Sequence, residues 1–122
     1  MPVVPTHGLT HLSLTVADPE RALAFYTRVF GVKEYYRDSG SIQVQGPGPH
    51  DVIAFEKGKV PKRAGGISHF GFRLLRPEDI DAAVSEVVAA GGRLLRRGEF
   101  APGFPFAYVH DPDGHEIEIW YE

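Results

Sequence analysis

Apolar and polar residues alternate along Leu9-Thr10-His11-Leu12-Ser13-Leu14-Thr15-Val16, which predicts a strand with Leu12, Leu14 and Val16 on one face and His11, Ser13 and Thr15 on the other. The period then changes. Asp18-Pro19-Glu20 supplies an N-cap, a first-turn proline and a first-turn acid, after which Ala22, Leu23, Phe25, Tyr26, Val29 and Phe30 recur at helical spacing up to Gly31. Three short strands are expected next, over Val32 to Arg37, Ser41 to Gln45 and Asp51 to Glu56, with Asp38-Ser39-Gly40 and Gly46-Pro47-Gly48-Pro49 as turns. The unit is βαβββ.

Residues 57–66 are rich in lysine, proline and glycine and poor in large apolar groups, so they are expected to be a linker; Lys57, Lys59, Lys62 and Arg63 are its solvated charges. The pattern then restarts. Ile67 to Leu74 alternates with Phe70, Phe72 and Leu74 on one face and His69, Gly71 and Arg73 on the other. Pro77-Glu78-Asp79 opens a helix striped by Ile80, Ala83, Val84, Val87 and Val88 and stopped by Gly91-Gly92. Strands are expected over Arg93 to Arg97, Phe104 to His110 and His115 to Tyr121. His11 precedes Pro19 by the same eight residues that separate His69 from Pro77, which makes the chain a tandem duplication. The expected fold is α+β: two βαβββ modules, 1–56 and 67–122, forming curved mixed sheets within one compact domain, each sheet backed by its helix.

Between the last two strands, Asp111-Pro112-Asp113-Gly114 is turn chemistry, with Gly114 free to take positive φ. Beyond it Ile117 and Ile119 point one way, and Glu116, Glu118 and Trp120 the other. A carboxylate on such a strand is costly unless something positive meets it. If the first and last strands of the halves lie together, His11, His69 and Glu118 converge on the concave side, and two imidazoles with one carboxylate form a set that leaves open positions on a divalent ion. Either histidine alone would more simply be a satisfied core or surface residue; their matching places in the repeat favour the metal site.

Composition narrows the remaining choices. In 122 residues with 43% hydrophobic and 24% charged side chains, one globular domain is expected, and a net charge of −3 gives no basic footprint for nucleic acid. No apolar run is long enough to span a bilayer and no signal peptide is evident, so a cytoplasmic location is expected. Without cysteine, any metal must be held by nitrogen and oxygen, from six histidines and sixteen carboxylates.

The stretches His11 to Asp18, Phe25-Tyr26, Phe30-Gly31, Gly66-Ile67-Ser68-His69, Asp111 to Gly114 and Ile117-Glu118 together resemble the vicinal oxygen chelate superfamily, which includes glyoxalase I, extradiol dioxygenases, methylmalonyl-CoA epimerase and fosfomycin and bleomycin resistance proteins. The resemblance spans nearly the whole chain. It implies paired βαβββ modules, a homodimer, a small-molecule substrate, and His11, His69 and Glu118 as metal ligands, gathered either within one chain or with His11 of one subunit meeting His69 and Glu118 of the other. A fourth ligand in the family often lies on the last strand of the first half; Glu56 has the right phase there, although Ala54 aligns more closely with that acid. Tyr108 stands where extradiol dioxygenases carry an active-site tyrosine, or is a packed aromatic residue. No histidine lies shortly upstream of His69 where those enzymes keep an acid/base, and His110 is the candidate substitute.

Arg73 and Phe106 are the candidate substrate contacts; Arg73 would hold an anionic substrate or merely a carboxylate neighbour. Residues 98–105 have the Gly, Pro and aromatic content of a covering loop, or of an ordinary surface loop. The expected activity is extradiol-like cleavage of a catechol-like compound chelated through vicinal oxygens on Fe(II). The alternatives are a glyoxalase- or epimerase-like lyase or isomerase using Zn, Ni, Co or Mn, and a protein that sequesters an antibiotic or another small molecule.

Overall fold

The computed structural model describes residues 3–62 and 66–122. Arg63, Ala64 and Gly65, within the expected linker, lie outside the described residues, as do Met1 and Pro2. The element order repeats: β1 (His11–Val16), α1 (Pro19–Phe30), β2 (Lys33–Arg37), β3 (Ser41–Gln45) and β4 (Val52–Lys57), then β5 (Phe70–Arg73), α2 (Ile80–Ala89), β6 (Arg93–Glu99), β7 (Pro105–His110) and β8 (Glu116–Trp120). Each module forms a four-stranded mixed sheet, ordered β1-β4-β3-β2 and β5-β8-β7-β6. The first strand runs parallel to the fourth in both, because the helix carries the chain back across the sheet.

Helix α1 begins where its capping chemistry says it should. The Asp18 side chain accepts a hydrogen bond from Glu20 N, Pro19 fills the first turn, and Gly31 closes the helix at φ 66°. Its inner stripe buries Ala22, Phe25 and Tyr26 against β3 and β4. Burial of each large aromatic side chain contributes roughly 1.5–3 kcal/mol. Leu14, Val16, Ile42, Val44, Ile53 and Phe55 of the first sheet share a core with Ile80, Val84, Val87, Ala107, Val109, Ile117 and Ile119 of the second module. Phe30 stacks on Phe72, with ring centroids 3.8 Å apart, to seal the seam between modules.

Four local expectations need correction. Strand β5 starts at Phe70 rather than Ile67, so His69 precedes the strand: the first pairing with β8 is Phe70 opposite Ile117, and the Ser68 hydroxyl engages the His69 ring instead. Pro77–Asp79 forms a 3-10 turn before α2, and Val88 falls off the buried Ile80, Val84, Val87 line and is 55% exposed. Strand β4 extends through Lys57, the first residue of the expected linker. Among the described residues, no helix is long and apolar enough to cross a membrane.

The hairpin turn forms with Gly114 at φ 91°, as its composition demands, but its carboxylates do more than turn the chain. Buried Asp111 receives the Asp113 and His115 amides on one oxygen and the Tyr26 hydroxyl on the other. Asp113 accepts from Ala17 N at 3.0 Å and from Arg21 at 2.7 Å, and the His115 ring meets the Thr15 carbonyl at 2.8 Å. The turn of the second module is thereby bolted onto the β1–α1 junction of the first.

Candidate metal centre

Across the concave face of the second sheet, Gly71, Glu118, Tyr108 and Arg96 stand in one cross-strand row on β5, β8, β7 and β6. Gly71 is required there. A Cβ at this position would lie 2.5 Å from the Trp120 ring and 2.8 Å from the Glu118 carbonyl, so its absence lets the indole cross β5. His69 Nε2 sits 3.1 Å from Glu118 Oε1, both side chains being partly buried. On the other side of the imidazole, Nδ1 is 2.7 Å from the Ser68 hydroxyl and 4.0 Å from Glu116 Oε2. Tyr108 stands edge-on to His69, with centroids 5.0 Å apart. Its hydroxyl is held above the usual phenol range, first by burial and then by the neighbouring Glu118 carboxylate, against a smaller opposing effect of Arg96. The phenol therefore stays protonated and remains a donor at neutral pH.

Of the two arrangements left open, a site within one chain or one shared between subunits, the three candidate ligands do not form the first. Among the described residues, no group of three His, Asp or Glu side chains closes to metal-binding distances. Exposed His11 lines one cleft with Leu9, Val52, Gly71 and Arg73, whereas His69 lines another with Ser13, Thr15, His110, His115 and Glu116. The physical reason is the turn docking described above. Strands β1 and β5 are edge strands of separate sheets, and fastening His115 to Thr15 sets His69 against the Ser13–Thr15 end of β1, away from His11.

The repeat also decides how the first module compares with the second. Ser13 pairs with Ala54 as Gly71 pairs with Glu118, so Ala54 takes the place of the acid. Glu56 lies two residues further along and receives the Ser13 hydroxyl at 2.6 Å. The other sequence candidates divide. Phe106 is on the concave face, 5.6 Å from Tyr108 and stacked with Phe100 at 4.6 Å. His110 Nδ1 is 3.2 Å from Arg93 Nη2. Arg73 donates twice to the Glu122 carbonyl oxygen, at 2.6 and 3.2 Å, so its guanidinium is already engaged by backbone.

Sequence reasoning placed Glu116 and Trp120 on the face of Glu118 without giving them a role, and missed Ser68 and Arg96 as neighbours of the pair. Ser68 and Glu116 carried a signal in their adjacency to His69 and Glu118; Arg96 did not, because its direction depends on a β-bulge between Leu94 and Arg96.

The donor set fits a divalent ion. If Nδ1–H donates to the Ser68 hydroxyl, Nε2 presents its lone pair beside a carboxylate oxygen, an arrangement of two acceptors that a cation satisfies. Mixed imidazole and carboxylate ligation suits Fe, Mn, Zn, Ni or Co.

The glyoxalase/bleomycin resistance protein/dioxygenase superfamily model matches residues 8–119. The chain belongs to that superfamily. A probable lactoylglutathione lyase of Vibrio parahaemolyticus is 28% identical over 91% of this chain and 88% of its own. A trivalent organoarsenical cleaving enzyme from a Bacillus species is 25% identical over 91% of this chain and 71% of its own. A glyoxalase-related enzyme from Fulvimarina pelagi superposes with a TM-score of 0.79 at 26% identity, covering 96% of this chain and 89% of that one. At 23% identity the fosfomycin resistance protein FosX of Listeria monocytogenes, in a variant complexed with Mn(II), shares the fold with a TM-score of 0.80 over 94% and 90% of the two chains. The superfamily thus includes enzymes, and members that bind divalent metals.

Proposed function

We propose that this superfamily member is a divalent-metal-dependent enzyme acting on a small molecule that chelates the metal through two adjacent oxygens. His69 and Glu118 of one subunit would hold the ion together with His11 of a second copy, in a homodimer. What supports a shared site is the division of ligands: one concave face offers His69 with Glu118, while the other offers exposed His11 with Ala54 where a second acid would stand. The bound ion supplies Lewis acidity toward the substrate oxygens.

The roles of this chain's side chains follow from their positions. Ser68, by accepting from Nδ1, fixes the His69 tautomer that leaves Nε2 available. Tyr108, protonated and beside Glu118, can donate a hydrogen bond to a substrate oxygen as negative charge grows on it. Phe106 and Phe100 form an apolar wall beside it that accepts a flat ring. The observation that carries the reaction class is Ala54 in the place of a second carboxylate, which leaves no metal-bound shuttle for proton transfer and favours oxidative cleavage of a catechol-like compound, with Fe(II) as the metal.

A lyase or isomerase reaction is the second reading, favoured by Glu56 two positions along the same face and by relatives named lactoylglutathione lyase. One experiment separates the readings: metal analysis of protein purified without added metal, then anaerobic Fe(II) reconstitution with catechol oxygen uptake, and in parallel reconstitution with Zn, Ni, Co or Mn and a hemithioacetal isomerisation assay. Oxygen uptake with ring cleavage is the expected result. Isomerisation without uptake would give the second reading, and absence of bound metal under every condition would leave only a sequestering protein.

A further inference from the structure

Arginines punctuate β6, and a local irregularity decides where they point. Arg93 opposes His110 and Leu94 opposes Val109, but the next paired residue is Arg96, opposite Tyr108, so Leu95 is the extra residue of a β-bulge. On a regular strand Leu95 would have opposed Tyr108, and Arg96 would have turned to the core side. The bulge instead turns Arg96 onto the face that carries Tyr108 and Glu118. Its guanidinium carbon stands 4.1 Å from the Tyr108 ring centroid, within cation–π range.

Several other arginines among the described residues are firmly seated. Arg37 grips Glu34 with two bonds of 2.6 and 2.7 Å, Arg97 meets Asp81 at 2.6 Å, and Arg73 is held by the Glu122 carbonyl. Arg96 is different: it approaches Glu116 Oε2 only to 3.5 Å, too far for a well-formed hydrogen bond, and its side chain is 59% exposed. A planar, five-donor group thus sits over the Tyr108 ring, loosely paired with Glu116 and largely exposed, on the strand face that also carries Phe106. The fork of such a group matches the two oxygens of a carboxylate.

We propose that Arg96 is the anion-binding residue of this site, and that the substrate carries a carboxylate on a small flat frame in addition to its vicinal oxygens. The proposal rests on the reading of the His69–Glu118 face as the metal and substrate site. Both requirements are met on one sheet face: the ion that His69 and Glu118 would hold takes the vicinal oxygens, and Arg96, across Tyr108, addresses the opposite end of the molecule.

The test is equilibrium binding to Zn(II)-loaded protein, in which redox turnover is silent, using 3,4-dihydroxybenzoate and catechol as a matched pair and calorimetry or Trp120 fluorescence as the readout. Wild-type protein should bind the carboxylate-bearing ligand about tenfold more tightly. Arg96→Ala should erase that preference while zinc content and catechol affinity stay within about twofold, and Arg96→Lys, which keeps the charge without the fork, should retain part of it. Equal affinity of wild-type protein for the two ligands, or equal weakening of both by Arg96→Ala, would overturn the proposal while leaving the metal site standing. Failure of both ligands to bind zinc-loaded protein would instead bring down the chelation reading, and this proposal with it.

Discussion

Glu118 Oε1 lies 3.1 Å from His69 Nε2, and the strands that bring the two together are held in register by Phe70 opposite Ile117. As a plain ion pair at a partly exposed position this contact would contribute no more than about 1 kcal/mol to stability. As two of three metal ligands it would govern metal affinity instead. Glu118→Gln and His69→Ala are therefore expected to weaken metal binding by about 100-fold or more, while the metal-free protein melts nearly as before. Metal content after dialysis and calorimetric melting of the apoprotein check both halves of that expectation.

A shared site has a distinctive genetic signature. His11→Ala and His69→Ala should each, alone, weaken metal binding by about 100-fold or more, so that neither retains metal through dialysis. Mixing the two variants under conditions that exchange subunits should restore about a quarter of the wild-type metal content, because random pairing makes half the dimers mixed and each mixed dimer has one intact site. A site built inside one chain would recover nothing on mixing.

Tyr108→Phe removes a hydroxyl and leaves the ring against His69 and under Arg96. Metal occupancy should be unchanged and turnover should fall by about 10–100-fold, the worth of one hydrogen bond to developing charge.

Tyr26 offers a stability test remote from the chemistry. Its hydroxyl donates to Asp111 at 2.8 Å, and burial, followed by the charge of Asp111, raises its pKa well above the ordinary phenol value. A raised folded-state pKa means that the stabilisation is fully present below the unfolded value of about 10 and is lost as pH rises beyond it. Melting temperature should accordingly fall steeply in alkali. Tyr26→Phe should cost about 1–2 kcal/mol at neutral pH and flatten that alkaline decline.

The repeat of His11…Pro19 and His69…Pro77 made the two modules and their order legible before any coordinates, because period changes and caps are local signals. The Asp111 to Gly114 turn was equally legible as a hairpin. Its grip on Ala17, Arg21, Tyr26 and Thr15 was not, since it depends on how two modules meet in space. That same grip is why His11 faces a different cleft from His69. The position of Arg96 escaped for a subtler reason: one bulged residue inverts the inside–outside alternation that strand reasoning assumes.

Ala54 carries one more implication, and it concerns charge. An ion of charge +2 held by two neutral imidazoles and the single carboxylate of Glu118 would keep one positive charge uncancelled, whereas an acid in the place of Ala54 would have neutralised the centre. With the ion bound, the missing methylene-carboxylate would make this face an electrostatic sink for ligands that arrive already ionised, in a protein whose overall charge is −3 and would otherwise repel them.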